Sequence, residues 1–149
     1  MACDYDAKTY LCTNIILKES EIEKLKNNLD IISSSEIDGL ILSDIGLIED
    51  AVSHGLEAHV SVQENVTNSH TLKTLHKLGA KRAILSRELS IEEIAEITDK
   101  SPIETEIFIH GAMCAGYSGR CVLSNFLTAR DANRGGCSQI CRWDFTLLD

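Results

Sequence analysis

Four cysteines lie within a short stretch near the carboxyl end of the chain, at a spacing suited to binding a metal. They are Cys114, Cys121, Cys137 and Cys141, in the pattern C-x6-C-x15-C-x3-C. Four thiolates are the usual complement of a 4Fe–4S cluster, and a closed zinc site also takes four. Zinc sites usually contain two tight cysteine pairs, and only Cys137 and Cys141 are that close. The spacing therefore favours the cluster, with zinc as the lesser alternative and inert buried thiols as a third.

Glycines accompany both cysteine pairs, where they would let the backbone wrap around a bulky cofactor. They are Gly116, Gly119, Gly135 and Gly136. Six cysteines in 149 residues are many for a reducing compartment, where clustered cysteines indicate metal or redox chemistry. Cys12 falls on a predicted strand and is expected to be a small core residue. Cys3 is assigned no role.

Sequence motifs for other kinds of catalytic site are weaker than the cysteine spacing. Ser118 lies in Gly116-Tyr117-Ser118-Gly119, which is not the G-x-S-x-G motif of serine hydrolases, and the H-E-x-x-H motif is absent. A cysteine–histidine dyad that includes His110 stays open. The remaining histidines are expected in solvent or on helix surfaces: His54, His59, His70 and His76.

The charge of the chain is unevenly distributed. The formal net charge is −9, which argues against a nucleic-acid partner for the whole surface. Residues 107–142 nevertheless carry four arginines and a single acid, Asp131. These arginines are either ordinary solvated side chains or a patch for phosphate or another anion. They are Arg120, Arg130, Arg134 and Arg142.

Composition predicts a folded protein of the cytoplasm. Apolar residues make up 44% of the chain and charged residues 25%, both ordinary for a globular domain. No apolar run approaches the roughly 18–20 residues that span a bilayer. The first ten residues are acidic and polar, unlike a signal peptide. We therefore expect no membrane partner.

The elements that must position the cysteines alternate between strands and helices. Runs rich in Ile, Val and Leu predict strands at residues 9–16, 39–42, 58–62, 82–85 and 106–109. Helices are predicted between them at residues 20–29, 44–54, 68–78 and 90–98. Two capping boxes, Ser20 with Glu23 and Ser90 with Glu93, mark helix starts, and Gly79 marks a helix end.

This βα alternation predicts an α/β fold with a parallel sheet. A barrel and a doubly wound sheet fit the pattern equally well, although no glycine-rich dinucleotide fingerprint follows any strand. Each predicted strand ends in polar residues, and in parallel α/β folds the carboxyl ends of the strands carry the site. The set is expected to face one pocket: Asn14, Ser43, Asp44, Gln63, Asn65, Arg87, Glu88 and His110.

The run EIFIHGAMC at residues 106–114 is followed by YSGRC at residues 117–121. Together these motifs resemble the signature of the collagenase-like peptidase family, peptidase family U32. The resemblance extends over nearly the whole chain, at residues 61–63, 65–68, 84–90, 123–124, 130–135, 137 and 141–143.

The resemblance implies a TIM-like barrel with Cys114, Cys121, Cys137 and Cys141 as ligands of a 4Fe–4S cluster. It also implies that Arg87, His110, Tyr117 and Arg120 line the catalytic site. The family was named for proteolysis of substrates such as collagen. Several of its members instead resemble iron–sulfur proteins that hydroxylate RNA bases or quinone precursors, some of them linked to prephenate as a co-substrate. The cysteine spacing is most similar to the branch that makes 5-hydroxyuridine in tRNA.

Compared with the family pattern, the chain looks like a truncated product. It is expected to form a single incomplete (β/α) barrel domain over residues 1–149, with about five parallel strands, that contains a cysteine-rich segment at residues 111–142. Open edge strands would invite pairing with another chain or with the missing part of the barrel. Three functions follow as hypotheses: tRNA uridine hydroxylation, with tRNA as partner; proteolysis of a peptide; and an inactive fragment or scaffold piece.

Overall fold

The computed structural model describes residues 5–146, and its centre is one parallel sheet of five strands. The strands are β1 (Tyr10–Thr13), β2 (Gly39–Leu42), β3 (Glu57–Val60), β4 (Arg82–Ile84) and β5 (Glu104–Glu106). Helices lie between the strands and in the cysteine segment (residues 111–142): α1 (Glu19–Lys26), α2 (Leu29–Ser33), α3 (Ile48–Ser53), α4 (Ser69–Leu78), α5 (Ile91–Asp99) and α6 (Leu123–Thr128). Short 3-10 turns occupy Ile45–Leu47, Val62–Glu64, Ala132–Arg134 and Ile140–Arg142.

The order of the strands distinguishes between the two predicted architectures. Each strand pairs in parallel with the next one along the chain, from β1 to β5. A doubly wound sheet reverses its order at a switch point, whereas consecutive order with a helix after each strand is the pattern of a (β/α) barrel. The described residues therefore form an α/β fold that corresponds to part of a TIM-like barrel.

Local sequence signals set most of the helix ends. The Asn68 side chain accepts from the Thr71 backbone N–H at 2.9 Å at the start of α4, and Gly79 ends that helix with a φ of +101°. The Ser90 capping box opens α5 as predicted. The predicted start of the first helix at Ser20 is wrong. Helix α1 begins at Glu19, because the Glu21 carboxylate bonds back to the Lys18 backbone N–H at 2.8 Å.

The fifth strand is also displaced from its predicted position. The apolar run at residues 106–109 predicted a strand there, but β5 is Glu104–Glu106. The reason is the neighbouring strand β4, which pairs with β5 only from Arg82 to Ile84 and whose continuation at Ser86 donates its N–H to the Val66 carbonyl instead. Ion pairs of Arg82 with Glu104 at 2.6 Å and Glu106 at 3.2 Å accompany this register. The apolar run leaves the sheet with Phe108 and Ile109 exposed.

The hydrophobic core lies between the sheet and the helices. Alternate residues of the central strands, such as Leu40, Leu42 and Val60, are buried with Leu72 of α4 and Ile48 of α3. Burial of such side chains is the main favourable term in folding. This layer holds the strands in place and thereby positions the loops at their carboxyl ends.

Two residues on the other face of the sheet were predicted wrongly. Cys12 lies in β1 but is exposed, because β1 has a neighbour on only one side among the described strands. His59 of β3 was expected in solvent but is buried, with its ring 4.3 Å from that of Tyr10 and its Nε2 3.2 Å from the Glu57 carboxylate. Burial lowers the pKa of His59, an effect that Glu57 opposes.

Across residues 5–146, no helix has both the length and the apolar character needed to cross a membrane.

Candidate functional site

All four cysteines of the cysteine segment line one cavity of about 470 Å³. Residues that follow β1, β3 and β4 complete its wall, as expected for a site at the carboxyl ends of parallel strands. The lining residues from these strand ends are Asn14, Val62, Gln63 and Arg87. The fold thus brings together two cysteine pairs that are well separated in the sequence. We call this space the cysteine cavity.

The thiols of the cysteine cavity are free, and they are not gathered around a single point. Cys114, Cys121, Cys137 and Cys141 form no disulfides. Within the described part of the chain, no group of three or more His, Cys, Asp or Glu side chains is arranged to hold one metal ion. A closed zinc site would place four sulfurs at about 2.3 Å from the metal. A 4Fe–4S cluster takes one thiolate on each of four iron atoms, so its ligands lie farther apart than those of a single zinc ion.

Arg87, just after β4, is the main polar contact of the first cysteine pair. Its Nη2 donates to Cys114 Sγ at 3.2 Å and to Ser118 Oγ. Its Nη1 donates to the Ala112 carbonyl at 3.0 Å, and its guanidinium lies 5.7 Å from the centre of the Phe108 ring. Arg87 therefore fixes the loop from residue 108 to residue 118 against the end of β4.

Asn65 and Gln63, after β3, hold the other side of the same loop. The Asn65 side chain donates to the Ser118 carbonyl at 2.7 Å and accepts from the Ser118 N–H at 3.1 Å. Gly119 has a φ of +70°, and a Cβ placed there would lie 2.9 Å from Gln63 Cβ. The loop is thus seated so closely that only glycine fits at position 119.

The second cysteine pair is held by α6. The buried Ser124 accepts from the Ser138 N–H at 3.1 Å, and Thr128 Oγ1 lies 3.0 Å from Ser138 Oγ. The Gln139 N–H donates to Cys137 Sγ at 3.3 Å. Ile140, which is only 2% exposed, anchors the turn that contains Cys141.

A link to α1 fastens the cysteine segment to the barrel. Arg134 binds both carboxylate oxygens of Glu21, one of them at 2.9 Å, and its Nη1 also donates to the Ile16 carbonyl at 2.5 Å. Next to it, the Asn133 carbonyl accepts from the Ile16 N–H at 3.0 Å, and Asn133 Oδ1 accepts from the Cys121 N–H at 3.1 Å. The hydrogen bond from Arg134 lowers the pKa of Glu21 to about 2.

The Glu21–Arg134 link predicts a stability difference that depends on pH. The folded pKa of Glu21, about 2, lies below its ordinary value of 4.5. The stabilisation is therefore complete above about pH 4.5 and is lost as the pH falls through 2. We expect Glu21→Gln to melt at a lower temperature than the unmodified chain at pH 7, with the two converging between pH 4.5 and pH 2.

Calorimetry from pH 7 to pH 2.5 measures this difference. Glu96→Gln is the matched control, because Glu96 pairs at 2.5 Å with Lys100 on the same surface of α5 and holds no distant segment. We expect only Glu21→Gln to increase hydrogen exchange at the Ile16 amide. Equal exchange in the two variants would show that the link does not fasten the segment.

The structure places the predicted site residues in two neighbouring cavities. Tyr117 and Arg120 line the cysteine cavity together with Arg87. His110 lines a second cavity of about 280 Å³, which also includes Arg87 in its wall. Burial raises the pKa of Glu64, which lies near Arg120, and the arginine opposes that shift. Five of the eight polar residues after the strands thus contribute directly: Asn14, Gln63, Asn65, Arg87 and His110.

The other three strand-end residues have local roles, so the prediction of one shared pocket was too broad. Ser43 donates to the Ile15 carbonyl at 2.9 Å, Asp44 accepts from the Gly46 N–H at 2.9 Å, and Glu88 accepts from Ser86. Sequence reasoning also missed Asn133, which supports Cys121. The signal for it was the Asp131-x-Asn133 turn, where the Asp131 side chain accepts from the Asn133 N–H at 2.9 Å.

The fold and the site together define an α/β protein with five consecutive parallel strands, as in part of a (β/α) barrel, and with a four-cysteine cavity. Comparison with known proteins identifies its family. The model of peptidase family U32 matches residues 1–149, and the chain belongs to this family. A Methanocaldococcus jannaschii relative, named as an uncharacterized protease, is 46% identical over 99% of this chain and 37% of its own length. The Bacillus subtilis tRNA hydroxylation protein P1 is 44% identical over 96% of this chain and 34% of its own length.

A solved structure confirms the fold. The structure of a U32 peptidase matches with a TM-score of 0.61 at 22% identity, over 71% of this chain and 47% of that one. The chain spans about a third of the length of the curated relatives named above.

Proposed function

We propose that the chain is iron–sulfur dependent and acts in the C5 hydroxylation of uridine in tRNA. The observation that carries this proposal is the single cavity that collects four free cysteines at the carboxyl ends of the strands. The tRNA hydroxylation name of the Bacillus subtilis relative supports the choice of substrate. Proteins of the family whose names concern hydroxylation or proteolysis make an enzyme the expected class.

Four cysteine thiolates around one cavity are the donor set that a 4Fe–4S cluster takes, which supports the cluster as the cofactor. Cys114, Cys121, Cys137 and Cys141 would hold it, and a bound cluster would supply electron-transfer chemistry. Two hydrogen bonds already point at these sulfurs, from Arg87 to Cys114 and from the Gln139 N–H to Cys137. Such bonds to ligand sulfurs are a recognised means of tuning a cluster.

The residues around the cavity would bind and orient the RNA. Tyr117 is 64% exposed at the cavity wall and would offer a flat surface to a base that flanks the modified uridine. Arg120 at the same wall would neutralise a phosphate. The acidic remainder of the chain repels RNA, which would confine the contact to the basic residues 107–142.

Proteolysis is less well supported by the geometry. Ser118 is only 4% exposed, and its hydroxyl accepts a hydrogen bond from Arg87 rather than facing a general base. Among residues 5–146, no histidine side chain is hydrogen-bonded to a serine or cysteine that lines the cysteine cavity. A nucleophile activated by an adjacent base, which a serine or cysteine peptidase requires, is therefore not assembled there.

The test is to express the chain in bacteria that lack their own tRNA hydroxylation protein, and to measure 5-hydroxyuridine in digested tRNA by mass spectrometry. We expect the unmodified chain and Cys12→Ala to restore the nucleoside, and Cys114→Ala to leave it absent. Unmodified uridine in all three strains, with the chain present as folded protein, would contradict the proposal.

A further inference from the structure

The second cavity adjoins the cysteine cavity and has no role in the function proposed above. It lies beyond the carboxyl ends of β4 and β5 and has a volume of about 280 Å³. Arg87 is the residue that lines both cavities. Anything bound in the second cavity would therefore sit one side chain away from Cys114, which contacts the same guanidinium at 3.2 Å.

The wall of the second cavity suits a flat ring with polar edges. Leu89, Ile94 and Ile107 provide an apolar surface, and Phe108 adds an aromatic ring that is 54% exposed. The volume is at the low end of small-molecule sites, which limits the occupant to about one ring. An apolar surface with a few polar groups at one side is the usual composition of a site that orients its ligand.

Arg87 is firmly held and still has hydrogen-bond donors to offer. A guanidinium carries five N–H donors in a fixed plane. The contacts to Ala112, Cys114 and Ser118 occupy three of them, one on Nη1 and two on Nη2. Nε–H and the second Nη1–H remain for a ligand, and both are suited to a carbonyl oxygen.

The charges around the cavity offset one another, which suits an uncharged ring. The Arg87 guanidinium is a positive charge in the wall, and the Glu88 carboxylate, which is hydrogen-bonded to the wall residue Ser86, is a negative charge close behind it. The carboxylate weakens the attraction of Arg87 for an anionic ligand and leaves the free N–H donors of Arg87 available to the carbonyl groups of a neutral ring. Pyrimidine bases have this character.

We infer that the second cavity is the recognition pocket for the pyrimidine base, an inference that rests on the proposed function. Phe108 stacks on the base, and Arg87 donates to one of its carbonyl oxygens, which places the base next to Cys114. Enzymes that act on a base take it out of the stack into such a pocket, and aromatic side chains commonly receive it.

Photo-crosslinking of the full chain with 5-iodouridine tests this pocket. We expect the adduct to map to residues 107–113, with competition by uridine and none by benzoate. Phe108→Ala and Arg87→Met should each lower the adduct yield about tenfold, the scale expected for loss of a base–aromatic or hydrogen-bond contact. Phe126→Ala is the matched control, because Phe126 is an exposed phenylalanine on α6 and should leave the yield unchanged.

Three results would overturn the inference. The first is an adduct that maps to another segment, such as the one containing Trp143, and the second is the absence of any adduct. The third is equal competition by benzoate, which would indicate a carboxylate pocket. The experiment needs neither hydroxylation nor a bound cluster. If the chain forms 5-hydroxyuridine but no adduct, only the pocket assignment is contradicted. If it forms the adduct but no 5-hydroxyuridine, the proposed function is contradicted.

Discussion

Replacing Cys137 with alanine is expected to abolish the visible absorption of protein prepared without oxygen, while replacing Cys12 leaves it unchanged. Cys137 lines the cysteine cavity and would be one of four cluster ligands. With three thiolates left, the coordination of a 4Fe–4S cluster is incomplete. Cys12 lies on β1 outside that cavity, so its loss removes a thiol and no ligand.

Absorption spectra of the two variants, recorded at equal protein concentration, make this comparison. Circular dichroism should show the same helix content in both, because Cys137 is exposed and packs in no core. If Cys137→Ala kept its colour, or if Cys12→Ala lost it, the assignment of the four ligands would be wrong.

The second large effect is expected on the stability of the chain when Gly119 is replaced with alanine. In Gly119→Ala, the new Cβ would lie 2.9 Å from Gln63 Cβ and 3.2 Å from its carbonyl oxygen, and the residue would keep a φ of +70°. The left-handed backbone costs about 1–2 kcal/mol for a non-glycine residue, and the overpacking adds about 1–3 kcal/mol. The loop that carries Cys114 and Cys121 should therefore shift away from β3, with loss of stability and of iron.

Gly135→Ala is the control that separates the two causes. Gly135 has a φ of +80°, but a Cβ there would have no atom within 4 Å. It should incur only the backbone cost of about 1–2 kcal/mol. Urea unfolding measures both variants, and equal losses of stability would show that the contact with Gln63 does not seat the loop.

Much of the fold was predictable because it depends on local patterns. Apolar runs flanked by helix caps located the first four strands and most helices, and Ser90 with Glu93 marked the start of α5. The choice between a barrel and a doubly wound sheet was not predictable in this way, because both have the same alternation. It required the consecutive strand order, which is a property of pairing between segments.

The predictions failed where contacts with residues distant in the sequence determine the structure more strongly than the local sequence pattern does. The apolar run after Glu106 resembles a strand, yet β5 precedes it, because β4 pairs only with Glu104–Glu106 and then turns to bond Val66. His59 resembles a surface histidine, yet it is buried beside Tyr10, which is far from it in the sequence. The residues next to Glu106 and His59 in the sequence give no indication of these distant partners.

The candidate site, like the fold, was predictable in part. Cysteine spacing indicated which thiols belong together, and the structure places them around one cavity. The contacts that seat them could not be predicted, since Asn65 holds Ser118 and Arg87 holds Cys114 across many residues of intervening chain. The cysteine spacing predicts the candidate ligands, whereas the residues that hold them in place are known only from the tertiary structure.

The central claim is that the four thiols hold one iron–sulfur cluster, and the most direct test is the metal content of the unmodified chain purified without oxygen. Iron and acid-labile sulfide, each measured per chain, should both be about four. One zinc per chain with no iron, or protein free of both metals, would contradict the account.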